Sequence, residues 1–241
     1  MQETFMGCNN MKGSPVCGPN VTDMYRTYCY CMNLTGSPVA GSKVTNFAEA
    51  YIDCFRLTGS AIQSDKFVNM TQSYWNCGNI TSAYIGSGIT IYTMANDAFH
   101  FCNKIQSITI NTSNTYMLGQ TTTYRPFNNT NLSNVTSITF GPACTLAWRT
   151  FYSDVSLTNT VTITIGGNVT NMQEAFYGCS GMKGSPVCGP NVTSMYRAYY
   201  NCYNLTGSAV CGTKVTNIME AYCNCYNLTG SPICGANVTN M

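Results

Sequence analysis

The chain has 241 residues, of which 8% are charged, and its formal net charge is +2. So small a charge gives no electrostatic basis for binding nucleic acid or a membrane surface. Hydrophobic residues make up 44% of the chain, enough for a continuous core and too many for a disordered tail. There is no apolar run long enough to span a bilayer, so we expect no membrane span in this segment. The start lacks the basic and apolar regions of a signal peptide, and Met1 aligns with a repeat position, which favours a segment of a longer protein.

A period of 23 residues, longer in the middle of the chain, organises the sequence. The predicted repeats are 1–23, 24–46, 47–69, 70–94, 95–119, 120–146, 147–171, 172–194, 195–217 and 218–240. Their consensus is M-x-x-A-Y-x-x-C-x-N-L-T-G-S-P-V-C-G-x-N-V-T-N. One repeat cannot bury its apolar positions alone, whereas stacked repeats can. The sequence therefore predicts a single solenoid over 1–241, with about ten coils of 23–26 residues.

Two kinds of element are predicted within each repeat. The M-x-x-A-Y-x-x-C stretch has apolar residues at i, i+4 and i+7, which predicts a short helical or 3₁₀ segment. Alternation of β-branched residues with Thr or Ser predicts strands in the central repeats, within 106–112, 136–142 and 160–168. Pro-Val-Cys is then expected to form the matching strand in the regular repeats, between Thr-Gly-Ser and Gly-Pro-Asn turns. We expect a parallel sheet of short strands on one face and helical segments on the other.

A longer period is superimposed on the short one. Residues 1–46 match 172–217 at 34 of 46 positions, more than neighbouring repeats match each other. A 171-residue block therefore restarts at residue 172. This favours a segment of a longer fibre-like protein, or a solenoid that associates end to end.

The third position of the repeats alternates in charge. The residues there are Glu3, Arg26, Glu49, Gln72, Asp97, Arg149, Glu174, Arg197 and Glu220. If repeats stack, opposite charges face each other along the axis, where an exposed pair contributes only about 0–1 kcal/mol but disfavours a slipped register. Chance alternation is the alternative.

The repeats resemble the BspA-like, Treponema-type leucine-rich repeats, whose units read A-F-x-x-C-x-x-L-x-x-I-x-[ILV]-P-x-x-V-x-x-I. The matching residues in one repeat are Ala175, Phe176, Cys179, Met182, Val187 and Val192. The resemblance extends over nearly the whole chain and is weakest over 110–146. Gly-Ser-Pro-Val-Cys replaces the usual aliphatic strand, and Leu is scarce. The resemblance implies an α/β leucine-rich-repeat solenoid from a surface or fibre protein, in most cases one linked to adhesion.

The 15 cysteines follow the repeat rather than a disulfide pattern. Eight occupy the eighth position, and Cys17, Cys188, Cys211 and Cys234 share the seventeenth. Buried thiols are predicted, and disulfides between coils are the alternative, although an odd number cannot pair completely. The C-x-C spacing of Cys29 and Cys31 differs from the zinc motif, so we expect no metal and no cofactor.

The sequence contains few features that would support catalysis. His100 is the only histidine and is expected at the surface or rim, and no Walker loop or zincin motif is present. We therefore expect that the chain is not an enzyme.

Exposed aromatic and arginine residues are the candidate binding residues, because rings and guanidinium groups suit sugars and protein partners. Aromatic-Arg pairs share the second and third positions, and aromatic residues including Tyr152, Tyr177 and Tyr200 share the sixth. The candidates are Tyr25, Arg26, Trp75, Trp148, Arg149, Tyr196 and Arg197. Structural packing of these rings is the alternative. The irregular insert 110–146 is expected to project from one edge, on the working face or as a loop without a function.

Thirteen N-x-S/T sequons are candidate glycosylation sites. Their asparagines are Asn20, Asn33, Asn69, Asn79, Asn111, Asn128, Asn131, Asn134, Asn168, Asn191, Asn204, Asn227 and Asn237. Alternatively, Asn satisfies turn backbone groups there, because the repeat itself contains Asn-Leu-Thr and Asn-Val-Thr.

The sequence favours a non-enzymatic protein that is extracellular, on a cell surface or exposed on a virion. Adhesion to a glycan or protein on a host or cell surface is the first hypothesis. The alternative is a structural segment of an elongated, possibly glycosylated fibre that stacks end to end.

Overall fold

A computed structural model describes residues 1–90, 92–113, 126–127, 129–231, 233 and 235–241. It forms two compact units. The first comprises Met1–Ile108 with Thr121–Asn131, and the second comprises Thr109–Gln120 with Leu132–Met241. Each unit is a solenoid in which successive repeats are joined by parallel backbone pairing. The predicted solenoid fold is therefore confirmed, whereas the single solenoid over 1–241 and the count of about ten coils stay predictions.

Five short strands are present in the described residues. They are β1 (Gly59–Ser60), β2 (Ile80–Ile85), β3 (Ser107–Ile110), β4 (Ser137–Phe140) and β5 (Thr162–Ile165). In the first unit β1 pairs in parallel with β2, with a register shift after Gly59. In the second unit β4 pairs in parallel and in register with β5. β3, β4 and β5 lie inside the three segments whose alternation predicts strands.

A polar residue at the last position of the repeat links the other repeats. Single parallel bridges connect the members of this position, which are Asp23, Asn46 and Asn69 in the first unit and Asn171, Ser194, Asn217 and Asn240 in the second. The side chain also accepts a hydrogen bond from the N–H two residues later, as Asn217 Oδ1 does from Met219 at 3.0 Å. This Asx turn sets the direction in which the chain enters the next repeat.

The predicted helical segment is wrong for the M-x-x-A-Y-x-x-C stretch, which forms turns. A helix requires each N–H to bond the carbonyl four residues earlier. Here alternate N–H groups point to the next repeat instead: Glu3 N donates to Tyr25 O at 2.9 Å, and Phe5 N donates to Thr27 O at 2.9 Å. The 3₁₀ helix Tyr92–Ala95 is the one helix in the part of the chain that the structure describes.

Left-handed backbone at two positions of the repeat makes this turn possible. Every described third-position residue has φ between +50° and +54°, although all of them are Glu, Arg, Gln or Asp. The seventh position is also left-handed, and it is glycine in two repeats, Gly7 and Gly178. Non-glycine residues pay about 1–2 kcal/mol for this conformation. The hydrogen bonds between repeats offset that cost.

Replacing Ser153 by glycine is expected to stabilise the protein by about 1 kcal/mol, because this exposed seventh-position serine has φ +56°. The measurement is the urea midpoint of unfolding. Ser137→Gly is the control, since Ser137 begins β4 and glycine in a strand is expected to destabilise by about 0.5–1 kcal/mol. Equal losses in both variants would show that the left-handed conformation carries no cost.

The Pro-Val-Cys strands expected in the regular repeats are also wrong for the repeats that the structure describes there, since residues 15–17 and 186–188 form no strand. A buried tyrosine hydroxyl bonds their backbone instead. The Tyr199 hydroxyl accepts a hydrogen bond from Val187 N at 3.2 Å and donates one to Val187 O at 2.9 Å. Tyr28 and Tyr51 make the same pair of bonds with the valines twelve residues before them. In the repeat of β5 the strand ladder takes these backbone bonds instead, since Thr162 N bonds Thr136 O, and the fifth position of the following repeat is phenylalanine, Phe176.

The core consists of columns of identical positions. Fifth-position rings stack with centroids 5.2–6.0 Å apart and planes within 4–14° of parallel in each unit. Eighth-position thiols donate to the fifth-position carbonyl of the preceding repeat at 2.9–3.1 Å. They are Cys31, Cys54, Cys77, Cys102, Cys179, Cys202 and Cys225. Every cysteine that the structure describes is a free thiol.

Candidate recognition surface

The second unit carries a cluster of aromatic and arginine side chains at the second, third and sixth positions of its repeats. We call it the aromatic–arginine surface, and it consists of Trp148, Arg149, Tyr152, Tyr177, Tyr196, Arg197 and Tyr200. Its backbone is the left-handed turn described above, with Arg149 at φ +51° and Arg197 at φ +51°. The turn directs adjacent side chains out of the core while the first and fifth residues remain buried.

Ion pairs between repeats fix the two arginines. Arg197 Nε donates to Glu220 Oε2 at 2.6 Å, and Arg149 Nε bonds Glu174 in the same way. The hydrogen bond that Arg197 donates to Glu220 raises the pKa of Arg197. In the first unit Arg26 Nε lies 2.6 Å from Glu49 Oε2 and Arg26 Nη1 lies 3.8 Å from Glu3 Oε1. The charges predicted to face each other do so in these four pairs.

Each arginine of the surface lies over two aromatic rings. The guanidinium carbon of Arg149 is 5.8 Å from the Trp148 ring centroid and 4.8 Å from that of Tyr152. Arg197 repeats the arrangement with Tyr196 at 5.0 Å and Tyr200 at 5.5 Å. These are cation–π distances, so each aromatic pair holds its guanidinium group in one place.

A column of three tyrosines joins the two arginine clusters. Tyr152 and Tyr177 stack with centroids 4.6 Å apart, and Tyr177 and Tyr200 stack at 4.9 Å, with planes within 5° of parallel in both pairs. Desolvation, followed by its tyrosine neighbours, raises the pKa of Tyr177. The sequence shows that these tyrosines share the sixth position of the repeat, but they were not among the predicted binding residues. Their shared sixth position, three residues after the arginine position, was the available signal.

The first-unit candidates form two separate contacts. Arg26 lies over the Tyr25 ring at 4.9 Å. Trp75 instead stacks on His100, with ring centroids 3.8 Å apart and planes 7° from parallel. The surface or rim location expected for His100 is wrong, because it is only 5% exposed. Trp75 and the edge of Phe101 cover its imidazole.

The sequon asparagines occupy all three burial classes. Asn20, Asn131, Asn134, Asn168, Asn204, Asn227 and Asn237 are exposed, Asn33, Asn69, Asn79 and Asn191 are half-buried, and Asn111 is buried, while Asn128 lies outside the described residues. Several amides bond a carbonyl of the preceding repeat, as Asn168 Nδ2 does with Pro142 O at 2.7 Å and Asn237 Nδ2 does with Thr213 O at 2.7 Å. The turn role considered for these asparagines is therefore present. It leaves a second amide hydrogen on each side chain.

Part of the insert 110–146, from 114 to 125 and at 128, lies outside the described residues, so its expected projection from one edge stays a prediction. In the described part Asn111 is buried, and its Oδ1 accepts a hydrogen bond from Ala143 N at 2.9 Å. No helix among the described residues is long and apolar enough to cross a membrane. Within the same residues, no three His, Cys, Asp or Glu side chains form a group that could hold a metal ion.

No known family model, curated protein or solved structure matches this chain. The residues of the chain itself are therefore the basis of its proposed function.

Proposed function

We propose that the chain is a non-enzymatic extracellular recognition protein that binds a glycan or protein on a cell surface or virion through the aromatic–arginine surface. The observation that carries this proposal is the pair of arginine clusters, each held by an ion pair and two rings. Trp, Tyr and Arg dominate binding energy at interfaces, and side chains fixed before binding lose less entropy when a partner arrives. Arg197 keeps 34% of its side chain exposed.

The stacked tyrosines restrict how a ligand approaches. Because Tyr177 has a ring on each side at 4.6 and 4.9 Å, its two faces are occupied. A ligand would contact ring edges, phenol hydroxyls and guanidinium N–H groups, so hydrogen bonding would contribute more than stacking of a sugar on an open ring.

We also propose that the chain is related to the BspA-like leucine-rich repeats and forms about ten coils, as the repeats in its sequence predict.

The charge of the surface gives a testable property. Arg149 and Arg197 are each paired with a glutamate, so the four charges sum to zero. We expect the apparent Kd for any bound probe to change by less than about threefold between low and high salt, because a neutral surface attracts no counter-charge. Titrations in increasing NaCl measure this. A steep loss of affinity with salt would indicate a charged surface elsewhere.

A direct test uses the fluorescently labelled chain on an array of neutral, sialylated and sulfated oligosaccharides, with fibronectin and collagen as protein spots. The double variant Tyr196→Ala, Tyr200→Ala removes both rings under Arg197 and is expected to reduce binding at least about tenfold, as loss of hot-spot residues does. Tyr203→Ala is the matched control, since Tyr203 is 39% exposed in the same unit but lies outside the surface. Equal binding by all three proteins would refute the proposed site.

A structural fibre is the second candidate, supported by the ladders themselves. Ion pairs, rings and thiols each satisfy partners one repeat away, which favours a stiff, extended unit. Further copies of the 171-residue block in the full-length protein, with no binding on the array, would favour this function.

A further inference from the structure

Two cysteines of the second unit lie at the same position of consecutive repeats and are accessible. Cys188 and Cys211 both occupy the seventeenth position and are half-buried. Cys188 Sγ donates to Gly189 O at 3.6 Å, and Cys211 Sγ donates to Gly212 O at 3.5 Å. The equivalent hydrogen bonds show that the two side chains have the same orientation on their coils.

The neighbouring backbone brings these sulfurs close. A methyl group placed on Gly212 would lie 2.9 Å from Cys188 Sγ, so this sulfur rests against the residue that follows Cys211. Hydrogen bonds between the same two repeats flank the pair, from Thr206 N to Gly184 O at 3.0 Å and from Thr216 N to Thr193 O at 2.8 Å. The Phe176 and Tyr199 rings of the same two repeats have centroids 5.4 Å apart. This spacing between the coils is within the range of about 4.4–6.8 Å that a disulfide requires between Cα atoms.

We infer that Cys188 and Cys211 are a modification site: an oxidant of the disulfide class, such as oxidised glutathione, converts them into a disulfide between adjacent coils. The Cys211 thiolate attacks a sulfur of oxidised glutathione and releases one glutathione thiolate. The Cys188 thiolate then attacks the Cys211 sulfur of the mixed disulfide and releases the second. Two protein thiols lose two protons and two electrons, and one oxidised glutathione becomes two reduced molecules.

The eighth-position thiols of the second unit are poor candidates for the same reaction. These thiols, such as that of Cys202, are buried and donate to a carbonyl of the preceding repeat. Burial also raises the pKa of Cys188, to about 11, so its thiolate is scarce at neutral pH and closure is slow. Cys17 offers a natural control, because it occupies the same position in the first unit but the next repeat has Ala40 there.

The experiment treats the full chain, in its native state, with excess oxidised glutathione at about pH 8.5, near the ordinary thiol pKa. Remaining thiols are alkylated, and non-reducing peptide mapping follows. Trypsin places Cys188 in peptide 184–197 and Cys211 in 198–214, and cleavage after Tyr203 separates Cys211 from Cys202. The expected product is a Cys188–Cys211 linked peptide, while Cys17 is found alkylated or as a glutathione adduct.

Two variants sharpen the result. Cys234→Ser removes the third seventeenth-position cysteine of the second unit and is expected to leave the linked peptide unchanged. Cys211→Ser is expected to abolish it and leave Cys188 alkylated. The inference is overturned if both cysteines carry separate glutathione adducts or stay alkylated, or if Cys211 is linked to Cys202 or Cys234 instead.

Discussion

Replacing Tyr199 by phenylalanine is expected to lower the free energy of unfolding by about 1–3 kcal/mol, the usual cost of leaving buried polar groups without partners. The Tyr199 side chain is fully buried, and its hydroxyl bonds both the N–H and the carbonyl of Val187. Phenylalanine keeps the ring stack and removes only these two bonds. Urea denaturation monitored by circular dichroism measures the change in midpoint.

Two controls accompany this variant. Tyr203→Phe removes an exposed hydroxyl and is expected to change stability by less than about 0.5 kcal/mol. Phe176→Tyr adds a buried hydroxyl facing Thr164, twelve residues earlier, whose backbone is already paired with Thr139 in the β4–β5 ladder, so it is expected to destabilise. If Tyr199→Phe unfolds at the wild-type midpoint, the hydroxyl does not replace the missing strand pairing.

Alkaline conditions are expected to unfold the protein over a defined range of pH. Desolvation raises the pKa of buried thiols from an ordinary 9.0, to about 12 for Cys29, Cys102 and Cys144 and to about 11 for Cys225. Above pH 9 the unfolded chain loses these protons while the folded chain retains them, so stability falls as pH rises. Each such group contributes a slope of about 1.4 kcal/mol per pH unit between its two pKa values.

Stability should therefore be nearly constant between pH 7 and pH 8 and fall steeply between pH 9 and pH 12. The buried tyrosines add to the loss above pH 10, because burial raises the pKa of Tyr51 and Tyr199 well above the usual 10.0. Urea midpoints at successive pH values measure the fall. Cys144→Ala should make it shallower by up to about 1.4 kcal/mol per pH unit. An unchanged midpoint at pH 11 would contradict the assignment of buried thiols.

Sequence reasoning predicted the solenoid and the strands of the irregular repeats because both rest on burial. Alternation such as Ser-Ile-Thr-Ile places every second side chain in the core, and β3 and β4 follow it. The spacing of Met, Tyr and Cys in the regular repeats also indicates which residues are buried. It does not indicate the backbone conformation, because a helix and a left-handed turn both bury residues one, five and eight. Residue type did not separate them, since Arg197 and Glu220 adopt a conformation usually left to Gly or Asn.

The candidate surface was predicted in part. The second and third positions identified Trp148 with Arg149 and Tyr196 with Arg197, and the alternating charges identified their glutamate partners. Sequence could not show that the Tyr152 and Tyr177 rings turn towards each other along the column, since this depends on side-chain torsions. The burial of His100 was not predicted either, because its stacking on Trp75 depends on the geometry of neighbouring coils and not on spacing in the sequence.

The backbone bonds of the left-handed turn also align peptide dipoles. In the repeat that begins at Met195, the N–H groups of the third, fifth and seventh residues donate to carbonyls of the following repeat, and the N–H of the first donates to the last residue of its own repeat. The repeat that begins at Met172 does the same. The dipoles of successive repeats in a unit therefore lie head to tail, and aligned hydrogen bonds polarise one another. Loss of one repeat weakens the polarisation of its neighbours, so each unit should open as a cooperative block rather than fray one coil at a time.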